Sequence, residues 1–182
     1  AKALIDPPKP AGAAAPGDSA SASRPTPAPA DSAAAVAQRG RPKEALPFLE
    51  FAIQHGDAQA KENAAALLYT GAAPLLQPPQ DLAGASELLR LAVKNANPSG
   101  RVYSASNYLL GLATLFQVPQ LDPQAEKGKD CTIAQQMDSL LTESETALNA
   151  GKTINAEAVD KNLGIIKQYR PRVASMRKAY CK

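Results

Sequence analysis

Two stretches of the sequence decide the fold: EALPFLEFAIQHGD at residues 44–57 and GASELLRLAVKNAN at residues 84–97. In each, apolar residues recur at i, i+3, i+4, i+7 and i+8, which describes one face of an amphipathic helix. The two faces align at an offset of 40 residues. A helical unit that repeats at roughly this spacing is typical of stacked helical hairpins. The residues that we expect to form the repeat core are Ala45, Leu49, Ala52, Ala85, Leu89 and Ala92.

The composition favours an all-α fold. The chain has 182 residues, of which 45% are hydrophobic, yet aromatic residues make up 4% and tryptophan is absent. Much of the hydrophobic fraction is alanine, which has the highest helix propensity and lets helices approach closely. We therefore predict an all-α array of helical hairpins with an extended N-terminal segment.

The chain divides into a tail and a helical domain. Residues 1–31 are dominated by Ala, Pro, Ser and Gly, so they are predicted to form an extended tail or tether, which we expect to lie on the surface of a partner. Residues 32–182 are predicted to form an α-helical, repeat-like domain, with the repeats at about 43–117. The periodicity indicates about eight helical segments, the first of them at residues 32–39.

Local signals predict where these helices begin and end. Asp57, Asp81 and Asn155 have the side chains of N-caps. Val118–Pro119 is expected to end one helix, and Pro171 is expected to begin the last one. Between them, the segment 101–117 places four large residues on one side: Val102, Leu109, Leu112 and Phe116.

The two cysteines, Cys131 and Cys181, are too far apart in sequence for a CxxC redox motif or a metal knuckle. Two free thiols would be ordinary in a cytosolic chain. Their positions favour instead a disulfide that ties together the helices of residues 131–182. Closing a loop of about 50 residues stabilises a fold by roughly 4 kcal/mol in the chain-entropy model. A disulfide indicates an oxidising compartment, so we expect a periplasmic or extracellular protein.

Two further features bear on location. No run of about 18 or more apolar residues exists, so no transmembrane segment is predicted, and any membrane association is expected to come through partners. The chain begins at Ala1 rather than Met, which fits either a cleaved secretory leader or a trimmed chain.

The sequence offers little that is typical of an enzyme. His55 is the single histidine, and at a helix end it is expected to interact with the helix dipole. The sequence has no metal-ligand spacing and no glycine-rich phosphate loop. Asp138, Glu143 and Glu145 are interpreted as a solvated helix face rather than an acid–base pair. We therefore predict a non-catalytic protein without a metal site or cofactor.

Positive charge concentrates at the C-terminal end. The net charge is +3, yet residues 151–182 carry eight Lys or Arg against Glu157 and Asp160. One interpretation is a solvated helix face; the other is a module that binds polyanions, either nucleic acid or anionic lipid. Nucleic acid is the less favoured partner because few stacking aromatics lie nearby. The candidate anion-binding residues are Lys161, Lys167, Arg170, Arg172, Arg177 and Lys178.

The segment from Tyr69 to Val93 resembles a Sel1-like repeat of the tetratricopeptide class. The positions that carry the resemblance are Tyr69, Gly71, Asp81, Ala85, Leu88, Leu89, Ala92 and Val93, and Gly111 fits the small helix-crossing residue of a following repeat. The resemblance extends over about residues 43–117. It implies a TPR/Sel1-like array of α-hairpins that acts as a scaffold for other proteins and has no catalytic residues. We therefore expect an adaptor or structural subunit of a larger periplasmic or membrane-associated assembly.

Overall fold

The computed structural model describes residues 42–181, apart from the side chains of residues 42–45 and of residue 48. The predicted tail, the helix predicted at residues 32–39 and the side chain of Ala45 lie outside the described residues. The described part contains no strand, so the predicted all-α class is confirmed there. Its elements are α1 (Pro42–His55), α2 (Ala58–Ala72), a 3-10 turn (Ala73–Leu76), α3 (Leu82–Asn95), α4 (Arg101–Gly128), α5 (Cys131–Ala150) and α6 (Ala156–Tyr180).

Short polar side chains start most of these helices. Asp57 accepts a hydrogen bond from the backbone N–H of Ala60 at 2.8 Å, and Asp81 accepts one from that of Gly84 at 2.9 Å. Asn155 starts α6 in the same way. These three N-caps are the ones that the sequence predicted. Each satisfies a backbone donor that the first turn of a helix leaves free.

The helices pack in chain order, each mainly against the one before it and the one after it. In addition, α2 contacts α4, and α4 contacts α6. Two apolar clusters result: one contains residues of α1 to α4 together with Ala147 of α5, and the other contains residues of α4, α5 and α6. The even-numbered helices therefore form one side of the molecule, and α4 belongs to both clusters.

Two prolines that were predicted to mark helix boundaries lie inside helices instead. The prediction that Val118–Pro119 ends a helix is wrong, because α4 continues through Pro119 to Gly128. A proline inside a helix removes one hydrogen bond and costs about 3 kcal/mol. Val118 and Ala125, on either side of the break in hydrogen bonding, are both completely buried. This burial offsets the local cost.

The last helix shows the same effect. Pro171 does not begin a helix, because α6 runs without interruption from Ala156 to Tyr180. Ile166 and Val173, on either side of this proline, are 1% and 0% exposed. The prediction of separate closing segments is therefore wrong, and in the described part the last two predicted helices form one.

Burial of the repeat core follows from the position of each helix in the array. Leu49, Ala85, Leu89 and Ala92 are buried, whereas Ala52 is half-exposed. Ala52 lies on α1, which packs mainly against α2, whereas α3 has neighbours on two sides.

The predicted side of α4 is only partly buried. Phe116 is 43% exposed, whereas Leu110, Ala113 and Leu115 are buried. The helix packs against α2, α3, α5 and α6. Buried residues therefore occur around α4 instead of along one stripe.

Candidate functional site: a groove between α3 and α5

Close contact between α4 and α5 depends on small residues at their crossing. A Cβ added at Gly111 would lie 2.5 Å from Leu148 Cγ, and one added at Gly151 would lie 2.5 Å from the backbone nitrogen of Tyr108. The Ser144 hydroxyl donates a hydrogen bond to the carbonyl oxygen of Gly111 at 2.7 Å. The sequence predicted a small crossing residue at Gly111. These contacts fix α5 against the N-terminal half of α4.

A hydrogen-bond network holds α3 against α4. Gln117 Nε2 donates to Ser86 Oγ at 2.7 Å and to the carbonyl oxygens of Leu82 and Ala113 at 3.3 and 3.1 Å. The Ser86 hydroxyl in turn donates to the Leu82 carbonyl oxygen at 2.7 Å. Ser86 is 1% exposed, so water does not compete for these bonds. The network sets the position of α3 along α4.

Between α3 and α5 lies an open groove of about 580 Å³. Its base consists of Tyr103, Asn107 and Leu110 on α4, and α3 contributes Val93 to the lining. The wall on α5 is polar and includes Asp138, Ser139, Thr142, Glu143 and Thr146. Three consecutive helices thus build one surface depression with an apolar base and a wall rich in hydroxyl groups.

An ion pair joins the two helices that flank the groove. Arg90 on α3 donates two hydrogen bonds to Glu143 on α5, with Nε–Oε1 and Nη2–Oε2 distances of 2.7 Å each. The hydrogen bond that Arg90 donates to Glu143 raises the pKa of Arg90 above its ordinary value, and partial burial opposes this shift. The guanidinium therefore remains charged at neutral pH. Bidentate geometry of this kind fixes the relative orientation of the two side chains.

Asn107 is the most deeply buried polar residue in the groove lining, with 5% of its surface exposed. Its Nδ2 donates to the Tyr103 carbonyl oxygen at 3.0 Å. Its Oδ1 accepts no hydrogen bond from any described residue. Among the described residues, Ser106 Oγ is the one buried side-chain oxygen or nitrogen without a partner, so Asn107 Oδ1 is not enclosed and reaches the open surface of the groove. The base of the groove therefore carries an acceptor that a bound group can satisfy.

The structure contains the disulfide that the sequence predicted. Cys131 begins α5 and Cys181 follows α6, with an S–S distance of 2.13 Å and a sequence separation of 50 residues. The bond closes the end of the α5–α6 hairpin that lies farthest from its connecting loop. It therefore ties α6 to the helix that supplies the polar wall of the groove.

The six candidate anion-binding residues on α6 fall into two sets. The three arginines face neighbouring helices and pair with carboxylates there. For Arg172, the hydrogen bond to Asp122 is the largest cause of a pKa above the ordinary arginine value. The pairs are Arg170 with Glu145, Arg172 with Asp122 and Glu126, and Arg177 with Asp138.

The three lysines differ from the arginines. Lys161, Lys167 and Lys178 are exposed, and none has a carboxylate oxygen within 4.0 Å among the described residues. Anion binding by this end of the chain stays a prediction. The positive charge open to a ligand is smaller than the sequence suggested, because the arginines already have partners.

The remaining candidates for chemistry are isolated. His55 is exposed at the end of α1, and its ring centroid lies 4.7 Å from that of Phe51. Residues 42–181 contain no group of three or more His, Cys, Asp or Glu side chains placed to hold a metal ion. None of the helices α1–α6 combines the length and the apolar character that a membrane span requires.

Comparison of the chain with family models, curated proteins and solved structures finds no match. Interpretation of the function therefore depends on the groove itself.

Sequence reasoning did not identify Asn107, Thr142 or Thr146 as site residues. Thr142 and Thr146 are spaced at i, i+4 on one helix face, which is a weak signal because exposed polar faces are common.

Proposed function

We propose that this chain is a non-catalytic adaptor subunit that binds another protein in the groove between α3 and α5. The groove is the observation that carries the proposal. It has a base on α4, the ion pair between Arg90 and Glu143 joins the two helices that flank it, and α5 crosses α4 closely at Gly111. A concave surface built from successive helices is a common way for helical arrays to bind partners.

A TPR/Sel1-like arrangement of α-hairpins fits this proposal. The 40-residue offset relates the sequences of α1 and α3, α4 contacts both α2 and α6, and α3 and α5 both contribute residues to the groove. These features support an array in which alternate helices line a binding surface. They concern the architecture alone and leave the partner to be found by experiment.

We place the assembly outside the cytoplasm, in the periplasm or at a membrane surface. The disulfide between Cys131 and Cys181 supports this location, because disulfides persist mainly in oxidising compartments. Attachment to a membrane would come through the partner protein.

The proposal is tested by photo-crosslinking in the cells that make the protein. A benzophenone amino acid replaces Thr142, which lines the groove, or Gln168, which is exposed on α6 and does not line it. We expect the Thr142 position to yield one recurrent cross-linked protein whose cross-linked residues map to a single segment. The Gln168 position serves as the matched control. A scattered pattern, or the same pattern at both positions, would contradict the proposal.

A further inference from the structure

We infer that the disulfide between Cys131 and Cys181 is a redox-sensitive device that controls the charge of the groove wall. While the disulfide is intact, Arg177 pairs with the groove residue Asp138. When a dithiol reduces the disulfide, the last turn of α6 detaches and leaves Asp138 as an unpaired carboxylate. The inference rests on the proposed function, since it assigns a means of regulation to the same groove.

Three cross-links join α5 and α6 along one seam. Their members on α5 are spaced seven residues apart, so they lie on the same face of that helix. From the disulfide end of the hairpin inwards, the pairs are Cys131 with Cys181, Asp138 with Arg177 and Glu145 with Arg170. The disulfide is therefore the terminal cross-link, and the ion pair of Arg177 is the one next to it.

The last turn of α6 depends on the disulfide for its position. After Met176, which is 6% exposed, the next three residues are exposed and Tyr180 is half-buried. The side chains of Arg177 and Asp138 are 46% and 34% exposed, and ion pairs as exposed as this contribute little to stability. The last hydrogen bond of the helix runs from the Cys181 N–H to the Arg177 carbonyl oxygen at 3.0 Å. Terminal hydrogen bonds of this kind fray when nothing else holds the helix end.

Burial limits how far the release can spread along α6. Val173 and Met176 are 0% and 6% exposed, and they lie between Arg170 and Arg177 in the sequence. Detaching them would expose apolar surface to water, which is unfavourable. The pair of Arg170 with Glu145 therefore stays closed, and release is confined to the turn that carries Arg177.

The ion pair that opens is the one that belongs to the groove. Asp138 lines the groove together with Thr142, which is one turn further along α5, whereas Glu145 is not part of the lining. Among the described residues that line the groove, none is a lysine, arginine or histidine. No lining residue therefore replaces Arg177 when it leaves, and the wall gains one uncompensated negative charge. A change of charge at a binding surface alters the choice of partner and the rate of association.

The chemistry is an exchange between a dithiol and the protein disulfide. Both cysteines are partly exposed, so a dithiol can reach the bond, and exposed disulfides are the more labile ones. One thiolate of the dithiol attacks a cysteine sulfur, forms a mixed disulfide and releases the other cysteine as a thiol. The second thiolate then displaces the remaining cysteine. The protein gains two electrons and two protons as two thiols, and the dithiol becomes a disulfide. Oxidoreductases with a Cys-X-X-Cys motif supply dithiols of this class.

The test compares the oxidised full chain with the chain reduced by dithiothreitol, using NMR, while intact mass confirms the two added hydrogens. We expect the backbone order parameters of residues 177–181 to fall from about 0.85 to below about 0.6 on reduction, while residues 163–170 stay rigid. The carboxyl carbon signal of Asp138 and the methyl signal of Thr142 should shift. Unchanged order parameters at 177–181 would overturn the inference. A disulfide that stays intact in the folded protein under excess dithiothreitol would overturn it as well.

Two variants separate the ion pair from the disulfide. Arg177→Gln opens the pair while the disulfide is intact, so it should shift the Asp138 and Thr142 signals in the same direction as reduction does. Arg170→Gln makes the same change at the neighbouring pair and is the matched control, because it should leave the Asp138 signal in place. Unmoved Asp138 and Thr142 signals in Arg177→Gln overturn the inference even if the reduced chain unfolds. Equal shifts of Asp138 in both variants also overturn it.

The inference and the proposed function fail in different ways, because the NMR test needs no partner. If photo-crosslinking at Thr142 captures one segment that binds the oxidised and the reduced chain equally, the redox inference is wrong and the adaptor function stands. If Thr142 captures no segment, the adaptor function is wrong, and the NMR signals still decide whether the disulfide controls Asp138. A captured segment whose affinity changes by about threefold or more on reduction supports both.

Discussion

Replacement of Gly111 by alanine tests the close crossing of α4 and α5 on which the groove depends. The added methyl group would lie 2.5 Å from Leu148 Cγ and 3.0 Å from the Leu148 backbone nitrogen. Leu148 is completely buried, so its side chain cannot swing into solvent to make room. The two helices therefore have to move apart, which also lengthens the 2.7 Å hydrogen bond from Ser144 to the Gly111 carbonyl oxygen.

The expected change in the free energy of unfolding follows from two opposing effects. Overpacking a tight core contact costs typically about 1–3 kcal/mol, and a contact that includes a backbone atom belongs to the upper part of this range. Alanine is favoured over glycine inside a helix by about 1 kcal/mol. We therefore expect Gly111→Ala to lower the free energy of unfolding by about 2 kcal/mol. For a protein of this size, this corresponds to a melting temperature roughly 4–8 °C lower.

Gly164→Ala is the matched control. Gly164 lies inside α6, and no atom comes within 4 Å of a Cβ built there. Only the higher helix propensity of alanine remains, so this variant should raise the free energy of unfolding by about 1 kcal/mol. Thermal unfolding followed by circular dichroism measures both variants. A Gly111→Ala protein that melts at or above the wild-type temperature would refute the crossing geometry.

Three further predictions concern the packing and the disulfide. Ala92→Leu should lower the free energy of unfolding by about 1–3 kcal/mol in urea titration, while Ala83→Leu on the exposed side of α3 should change it little; equal effects would show that the repeat alignment is wrong. The native protein should have an intact mass two hydrogens below that of the reduced chain, and Cys181→Ser should lower the free energy of unfolding by roughly 4 kcal/mol. Rapid alkylation of Cys131 without reductant would contradict the disulfide. Gln117→Leu should lower the free energy of unfolding by about 1–3 kcal/mol, because it leaves the buried Ser86 hydroxyl oxygen without its donor; an unchanged urea midpoint would mean that the network does not hold α3.

The sequence predicted those parts of the fold that depend on nearby residues. Asp57, Asp81 and Asn155 are caps because their side chains reach backbone N–H groups two or three residues ahead, which is a local interaction. Burial of Leu89 and Ala92 follows from helical periodicity alone. These features need no knowledge of which helices are neighbours.

The sequence could not show how tertiary contacts override a local preference. Prolines such as Pro119 and Pro171 break or kink helices when nothing else opposes them, yet here both helices continue past the proline, with buried residues on either side. Arg172 pairs with Asp122, which lies 50 residues earlier in the sequence. This contact can be predicted only when the packing of α4 beside α6 is known.

The groove could not be predicted from the sequence for a similar reason. Asp138 and Glu143 were interpreted as a solvated helix face, but both are paired with arginines on neighbouring helices. Asn107 looks like an ordinary residue of a helix in the sequence. Its place in the groove lining depends on how α3, α4 and α5 pack together, which helical periodicity does not encode.

Methyl chemical-shift mapping by NMR tests the central claim most directly, because it reports which surface a partner segment contacts. The full chain is titrated with the partner segment captured by photo-crosslinking at Thr142, while the methyl signals of its Val, Leu and Thr residues are followed. We predict that the largest changes occur at Val93, Leu110 and Thr142 in the groove, with little change at Val173 inside the α6 contact. Changes concentrated on α6, with the signals of the groove residues unmoved, would contradict the account.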